Sequence, residues 1–166
     1  MQLPMLKIRT NNAGFTLLEV IAALTIIAIL STLALPSLES RSARAQINES
    51  IDLLRNLKQS VNIFYLLKKK FPASNKDAGI PRPELLLGNY VQRIELVNGA
   101  FQITFGGRAN KSLKDKTLSI RPIVVNNSPE SPISWICGNA TPPNGMVAVG
   151  ENITDIPNRL LPINCF

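Results

Sequence analysis

FTLLEVIAALTIIAILSTLAL, residues 15–35, is twenty-one consecutive residues with Glu19 as the single charge. As a helix rising 1.5 Å per residue it reaches about 30 Å, the thickness of a bilayer's hydrocarbon layer. The preceding MQLPMLKIRTNNAG, residues 1–14, is polar and carries Lys7 and Arg9, which suits a cytoplasmic leader. Arg41 and Arg44 lie beyond the other end, so charge alone leaves the orientation open. An ordinary secretory signal is cut at small residues after its apolar stretch. Here the small pair, Ala13-Gly14, comes before it, so a cut at Gly14 keeps the apolar helix in the mature protein. Glu19 well inside such a segment costs several kcal/mol unless it finds a partner, snorkels to the interface or takes up a proton.

Gly14-Phe15-Thr16-Leu17-Leu18-Glu19, the apolar run to Ala34-Leu35-Pro36 and then Ala43-Arg44-Ala45-Gln46 together resemble the N-terminus of type IVa pilins. The resemblance implies that residues 1–14 are a leader, that a prepilin peptidase cuts after Gly14, and that Phe15 becomes an N-methylated N-terminus. It implies that 15–35 is a transmembrane and assembly helix, and that 36–166, which includes the helix's second half, is a periplasmic and then extracellular head. Glu19 would meet the Phe15 amine of the same or a neighbouring subunit and set the stagger at assembly. Pro36 lacks an N–H and its ring crowds the preceding turn, so the helix is expected to bend near residues 32–36. Many type IVa pilins carry Gly where this protein has Ala28, and Ala favours helix by about 1 kcal/mol.

Past the proline, Ala43, Ile47, Ile51, Leu54, Leu57, Val61 and Phe64 recur at spacings of three and four, which predicts that the helix continues, now amphipathic, to about Leu67. Lys68–Asn89 holds three prolines and two glycines and reads as a surface connection. Then come strands at Val91–Val97 and Ala100–Phe105 joined by an Asn98-Gly99 hairpin turn, a third at Thr117–Val125 and a fourth at Ile133–Cys137. Pro122 suggests that the third is an edge strand or carries a bulge. The expected fold is α+β: a long helix on a four-stranded antiparallel sheet, closed by a Pro- and Gly-rich C-terminal loop. Cys137 and Cys165 bound that loop, and outside the cytoplasm a disulfide is the expected state; two buried free thiols are the alternative. Trp135 is expected to pack beside them. Asn139 and Asn152 begin Asn-x-Thr triplets, a pattern common by chance in Asn-rich loops.

The sequence has no histidine, which removes the commonest general base and metal ligand; no catalytic set, metal site or cofactor is expected. Eighteen Lys and Arg against eleven Asp and Glu give a net charge of +7, a bias toward polyanions. The candidate polyanion contacts are Lys68, Lys69 and Lys70 at the helix end, and Arg108, Lys111, Lys114 and Lys116 in one loop. A solvated helix end and a wet loop are the plainer readings of both groups. The resemblance implies a structural subunit that sits in the inner membrane as a single-pass protein and then in an extracellular fibre. Its partners would be copies of itself, the prepilin peptidase, an inner-membrane assembly platform and ATPases, and DNA or surface receptors. The fibre would serve adhesion, twitching motility or DNA uptake. The alternatives are a minor pilin acting as DNA receptor and a type II secretion pseudopilin.

Overall fold

The structure, a computed structural model, describes residues 14–128 and 130–166, with side chains for all of these except 33–37. The segment before Gly14 that is expected to be a leader, and the side chain of Pro36, lie outside the described residues. By internal contacts the protein divides into Met1–Ser37 and Leu38–Phe166. Helix α1, Leu17–Asp52, continues through position 36, and helix α2, Leu54–Lys68, follows after one intervening residue. A single unbroken helix was expected, and the helix-like torsions of Leu53 (φ −60°, ψ −27°) show how slight the interruption is. Just before it, Ser50 Oγ donates to the Gln46 carbonyl at 2.8 Å, a back-bond that distorts helices.

In the Leu38–Phe166 unit the helical stripe packs on the sheet as the periodicity predicts, except that Tyr65 is buried where Phe64 was expected and Phe64 is only half-buried. Ala43, Ile47, Leu54 and Val61 are buried against Ile94 and Leu96, Phe101, Ile103 and Phe105, and Leu118 and Ile120. Strands β1 (Val91–Val97), β2 (Ala100–Phe105), β3 (Thr117–Val125) and β4 (Ser134–Cys137) pair antiparallel in that order. Asn98 (φ 47°) and Gly99 (φ 87°) turn β1 into β2 with both central residues left-handed, the geometry whose twist matches the strands it joins. A Cβ on Gly99 would stand 2.9 Å from Phe71 Cβ, so the ring that closes over the turn also requires glycine there.

Two features depart from the expectation. Pro122 lies in an interior strand, because β3 has β2 on one side and β4 on the other. A fifth strand, β5 (Met146–Ala148), pairs with Ile123–Val125, and it comes from the C-terminal segment expected to be loop. One geometry accounts for both. Ile123 pairs with Ser134 of β4 and with Ala148 of β5, so β5 lies on the β2 side of β3, past the place where β2 begins. The Pro122 carbonyl accepts the Val149 N–H at 2.9 Å on that side. The N–H that proline lacks would face the same way, toward Val149 just past the end of β5, so the proline forfeits one bond at the end of that short strand and none of the bonds to β4.

Candidate assembly and processing site

Gly14, Phe15 and Thr16 precede α1 as non-helical backbone, and all three are exposed. A Cβ placed on Gly14 would meet nothing within 4 Å among the described residues. The helix then starts with a local device. Thr16 Oγ1 accepts the Glu19 N–H at 3.2 Å, which makes Thr16 the cap and Glu19 the third helical residue of a Thr-x-x-Glu pattern. Glu19 is also the acid of the first turn, where the helix dipole favours negative charge. The sequence reading missed this capping role; the spacing that signals it is Thr16 to Glu19.

Every described side chain from Phe15 to Thr32 is exposed, with Phe15 at 84%, Leu17 at 81% and Leu18 at 78%. The hydroxyls within this face turn back on their own helix. Thr25 donates to the Ala22 carbonyl at 2.8 Å, Ser31 to Ile27 at 2.7 Å and Thr32 to Ile29 at 2.7 Å. A face whose hydroxyls are satisfied internally suits surroundings that offer no water. Among the described residues no helix is long and apolar enough to cross a membrane.

The cysteines form the expected disulfide, Cys137–Cys165, with Cα atoms 4.5 Å apart, and both belong to the main core. Trp135 packs against that core, stacked on Phe101 at 5.5 Å between ring centres, as its sequence context implied. Lys58 of α2 stands 5.3 Å above the Trp135 ring; burial lowers its pKa, and the Asp52 charge opposes that shift. Beside the disulfide, Gly138 holds φ 55° with its N–H on the Ser119 carbonyl, and a Cβ there would come 2.8 Å from the Cys165 carbonyl oxygen. Arg121 Nη2 donates to the carbonyls of Gly138 at 3.3 Å and Ala140 at 3.4 Å, and burial lowers its pKa. Arg44 Nη2 ties α1 to the Arg159 carbonyl at 3.0 Å.

The rest of the C-terminal segment is held by side chains that sequence reading passed over. Gln102 and Ser119, a cross-strand pair on the sheet face away from the helix, bond to the backbone of Glu151 and Ile153. Asp155 Oδ1 accepts the Thr117 N–H at 2.6 Å and its Oδ2 meets Lys116 Nζ at 3.3 Å. At the other edge, buried Asn75 accepts the Leu96 N–H at 2.6 Å and donates to the carbonyls of Ile94 at 3.2 Å and Pro81 at 2.8 Å, so it stands in for a strand beside β1. Asparagine's habit of imitating backbone in loops was the one available signal.

The structure does not gather the basic residues into one surface. Lys68, Lys69 and Lys70 lead into residues that bond the β1–β2 turn, through Ala73 to Asn98 and Pro72 to Gly99. Arg108, Lys111, Lys114 and Lys116 follow the opposite end of β2, a strand of 6 residues and hence roughly 17 Å distant, about two screening lengths in physiological salt. Lys69 is paired with Glu130 at 2.7 Å and Lys116 with Asp155, while Lys68, Lys70, Arg108, Lys111 and Lys114 are exposed. No cluster of three or more metal-ligating side chains occurs among the described residues.

The described residues thus form an exposed apolar helix followed in the chain by a disulfide-closed α+β head. Comparison with known proteins gives the family. Residues 43–166 match the pilin (bacterial filament) family, and residues 9–35 match the prokaryotic N-terminal methylation motif. The chain is 33% identical over 162 residues to a type IV major pilin protein PilE1 of Neisseria gonorrhoeae, covering 94% of this chain and 88% of the relative. It is 31% identical over 145 residues to a fimbrial protein of Neisseria meningitidis serogroup A, covering 87% and 83%, and 31% identical over 131 residues to fimbrial protein EcpC of Eikenella corrodens, covering 76% and 82%. The chain belongs to the type IV pilin family and is a structural, non-enzymatic subunit that carries the N-methylation motif.

Proposed function

We infer that the protein is cut after Gly14, N-methylated at Phe15, held in the inner membrane by residues 15–35, and then polymerised through that helix into an extracellular fibre of which it is the main subunit. The observation that supports this most directly is the run of exposed apolar side chains from Phe15 to Thr32. Lipid covers such a surface before assembly, and outside lipid only other copies of the same helix match it. Burial of each large apolar residue contributes roughly 1.5–3 kcal/mol against water but far less against lipid, so extraction needs an external motor, the role the assembly platform and its ATPases take. Glu19, partnered by the Phe15 amine, registers neighbouring subunits, and Pro36 gives the helix a place to adjust. The fibre presents its heads for adhesion, twitching motility or DNA uptake. The relatives named as major pilins and fimbrial proteins favour the main-subunit reading over the pseudopilin and the minor DNA receptor, and the separation of the two lysine-rich groups weighs against the latter.

Mass spectrometry of fibres sheared from cells tests the reading. The expected result is an abundant product beginning at N-methylated Phe15, with Cys137 linked to Cys165. A sheared fraction that lacks this protein, or a mature form that begins beyond Leu35, refutes it.

A further inference from the structure

The sequence contains two Asn-Gly pairs, Asn98-Gly99 and Asn144-Gly145, and the fold treats them differently. An asparagine followed by glycine is open to a spontaneous reaction in which the glycine amide nitrogen attacks the carbonyl carbon of the asparagine's own amide group. A new C–N bond forms, the bond from that carbon to its NH2 group breaks, and ammonia leaves with the glycine amide proton, giving a succinimide. Water then opens either imide C–N bond, to aspartate or to isoaspartate. The net change is asparagine plus water to acid plus ammonia, with no oxidant or enzyme. The reaction requires that the glycine N–H be unengaged and that the backbone be able to rotate toward the asparagine amide.

At Asn98-Gly99 both requirements are blocked. The Gly99 N–H donates to the Pro72 carbonyl at 2.9 Å and the Asn98 N–H to the Ala73 carbonyl at 3.1 Å. Gly99 is itself buried beneath the Phe71 ring, and the flanking residues Val97 and Ala100 are paired strand to strand. At Asn144-Gly145 both residues are exposed, and the surroundings of Gly145 are open, with nothing within 4 Å of where a Cβ would stand. Among the described residues the Gly145 N–H has no acceptor. The turn is closed by the Met146 N–H on the Pro143 carbonyl at 3.0 Å, a surface bond beside a strand of only 3 residues. Local openings of such exposed, thinly packed segments lie at the low end of a protein's range of opening free energies.

We propose that Asn144 is a site of self-modification, at which the folded subunit deamidates to aspartate and isoaspartate while Asn98 keeps its amide. Either product replaces a neutral amide with a carboxylate and lowers the net charge by one unit per subunit. The isoaspartate adds a methylene to the backbone next to Gly145, whose carbonyl accepts the Asn126 N–H at 3.0 Å, so it loosens the pairing of β5 with β3. The surface within the disulfide-bounded loop therefore changes with the age of the subunit.

The test follows the whole protein, folded in detergent at mildly alkaline pH and 37 °C, by peptide mapping and isoaspartate detection. A parallel sample is reduced and denatured. In the denatured sample both Asn-Gly sites are expected to convert at similar rates. In the folded sample Asn144 is expected to convert at least about tenfold faster than Asn98, because Asn98 must first open locally. Gly145→Ala slows conversion at 144 in either state, and hydroxylamine cleaves the folded protein between 144 and 145 only. Equal rates at the two sites in the folded protein, or an Asn144 that keeps its amide while the denatured control converts, overturns the proposal. Neither result bears on the pilin reading.

Discussion

Ser119 Oγ donates to Gln102 Oε1 at 2.6 Å and at the same time accepts the Ile153 N–H at 2.8 Å, while Gln102 Nε2 donates to the Glu151 carbonyl at 3.1 Å. Two buried polar residues on the sheet face away from the helix thus clasp the segment that returns from the C-terminal loop. A buried polar group left unpaired costs about 1–3 kcal/mol, more than a paired one contributes. Gln102→Leu leaves the Ser119 hydroxyl proton and the Glu151 carbonyl without partners. It should destabilise the fold by about 1–3 kcal/mol in urea denaturation, and speed amide hydrogen exchange in residues 151–155 most of all.

Asn75 makes three bonds to backbone groups from one amide. Asn75→Ala should cost about 2–3 kcal/mol, measured by the denaturation midpoint, and expose the β1 edge. A change below experimental error would mean that water replaces the amide there.

The disulfide spans a sequence separation of 28. Replacing both cysteines with serine should cost about 3.5 kcal/mol through the regained entropy of the unfolded state. Gly138→Ala should cost about 1–3 kcal/mol with the disulfide intact, because a methyl group is forced into left-handed backbone against the Cys165 carbonyl. If Gly138→Ala is silent, the loop has room to shift that the packing does not suggest.

Glu19 supplies two separable predictions, since it sits in the first turn behind the Thr16 cap and is also the proposed assembly contact. Glu19→Gln keeps the size and hydrogen-bonding capacity of the residue but removes the charge. It should leave helix content by circular dichroism within error, because the first-turn charge contributes only about 0.3–1 kcal/mol, yet abolish sheared fibre. Fibres at the normal yield from this variant would leave Glu19 no role beyond its place in the first helical turn.

Lys58 gives a pH dependence with a definite sign. Its pKa in the folded state lies below the ordinary 10.5 because burial opposes its charge, so the unfolded state binds the proton more tightly. Stability should therefore rise as pH increases through the interval from the lowered value up to 10.5. Denaturation midpoints of the wild type compared with Lys58→Met across that alkaline interval should show the rise in the wild type alone.

Much of this was legible in the residues because it depends on neighbours in sequence. An unbroken apolar run at 15–35, a stripe at spacings of three and four, strict alternation at Phe101, Ile103 and Phe105, and an Asn-Gly turn each carry their own structural demand. The disulfide between the only two cysteines is of the same kind. Tertiary structure alone decided the rest. Pro122 reads as an edge residue until its backbone is seen to face Val149 at the end of the short β5 and not β4, so that an interior strand loses one terminal bond. β5 has too few residues to show a period, and it exists because β3 outruns β2. Asn75, Gln102, Ser119 and Asp155 are ordinary polar residues in sequence, and they act only because folding brings unpaired backbone to them from as far as 49 residues away. The two lysine-rich groups look alike on paper, and a strand's length separates them. Local periodicity fixes which elements form. Which buried N–H and C=O groups still need a partner is settled only when distant segments are packed together.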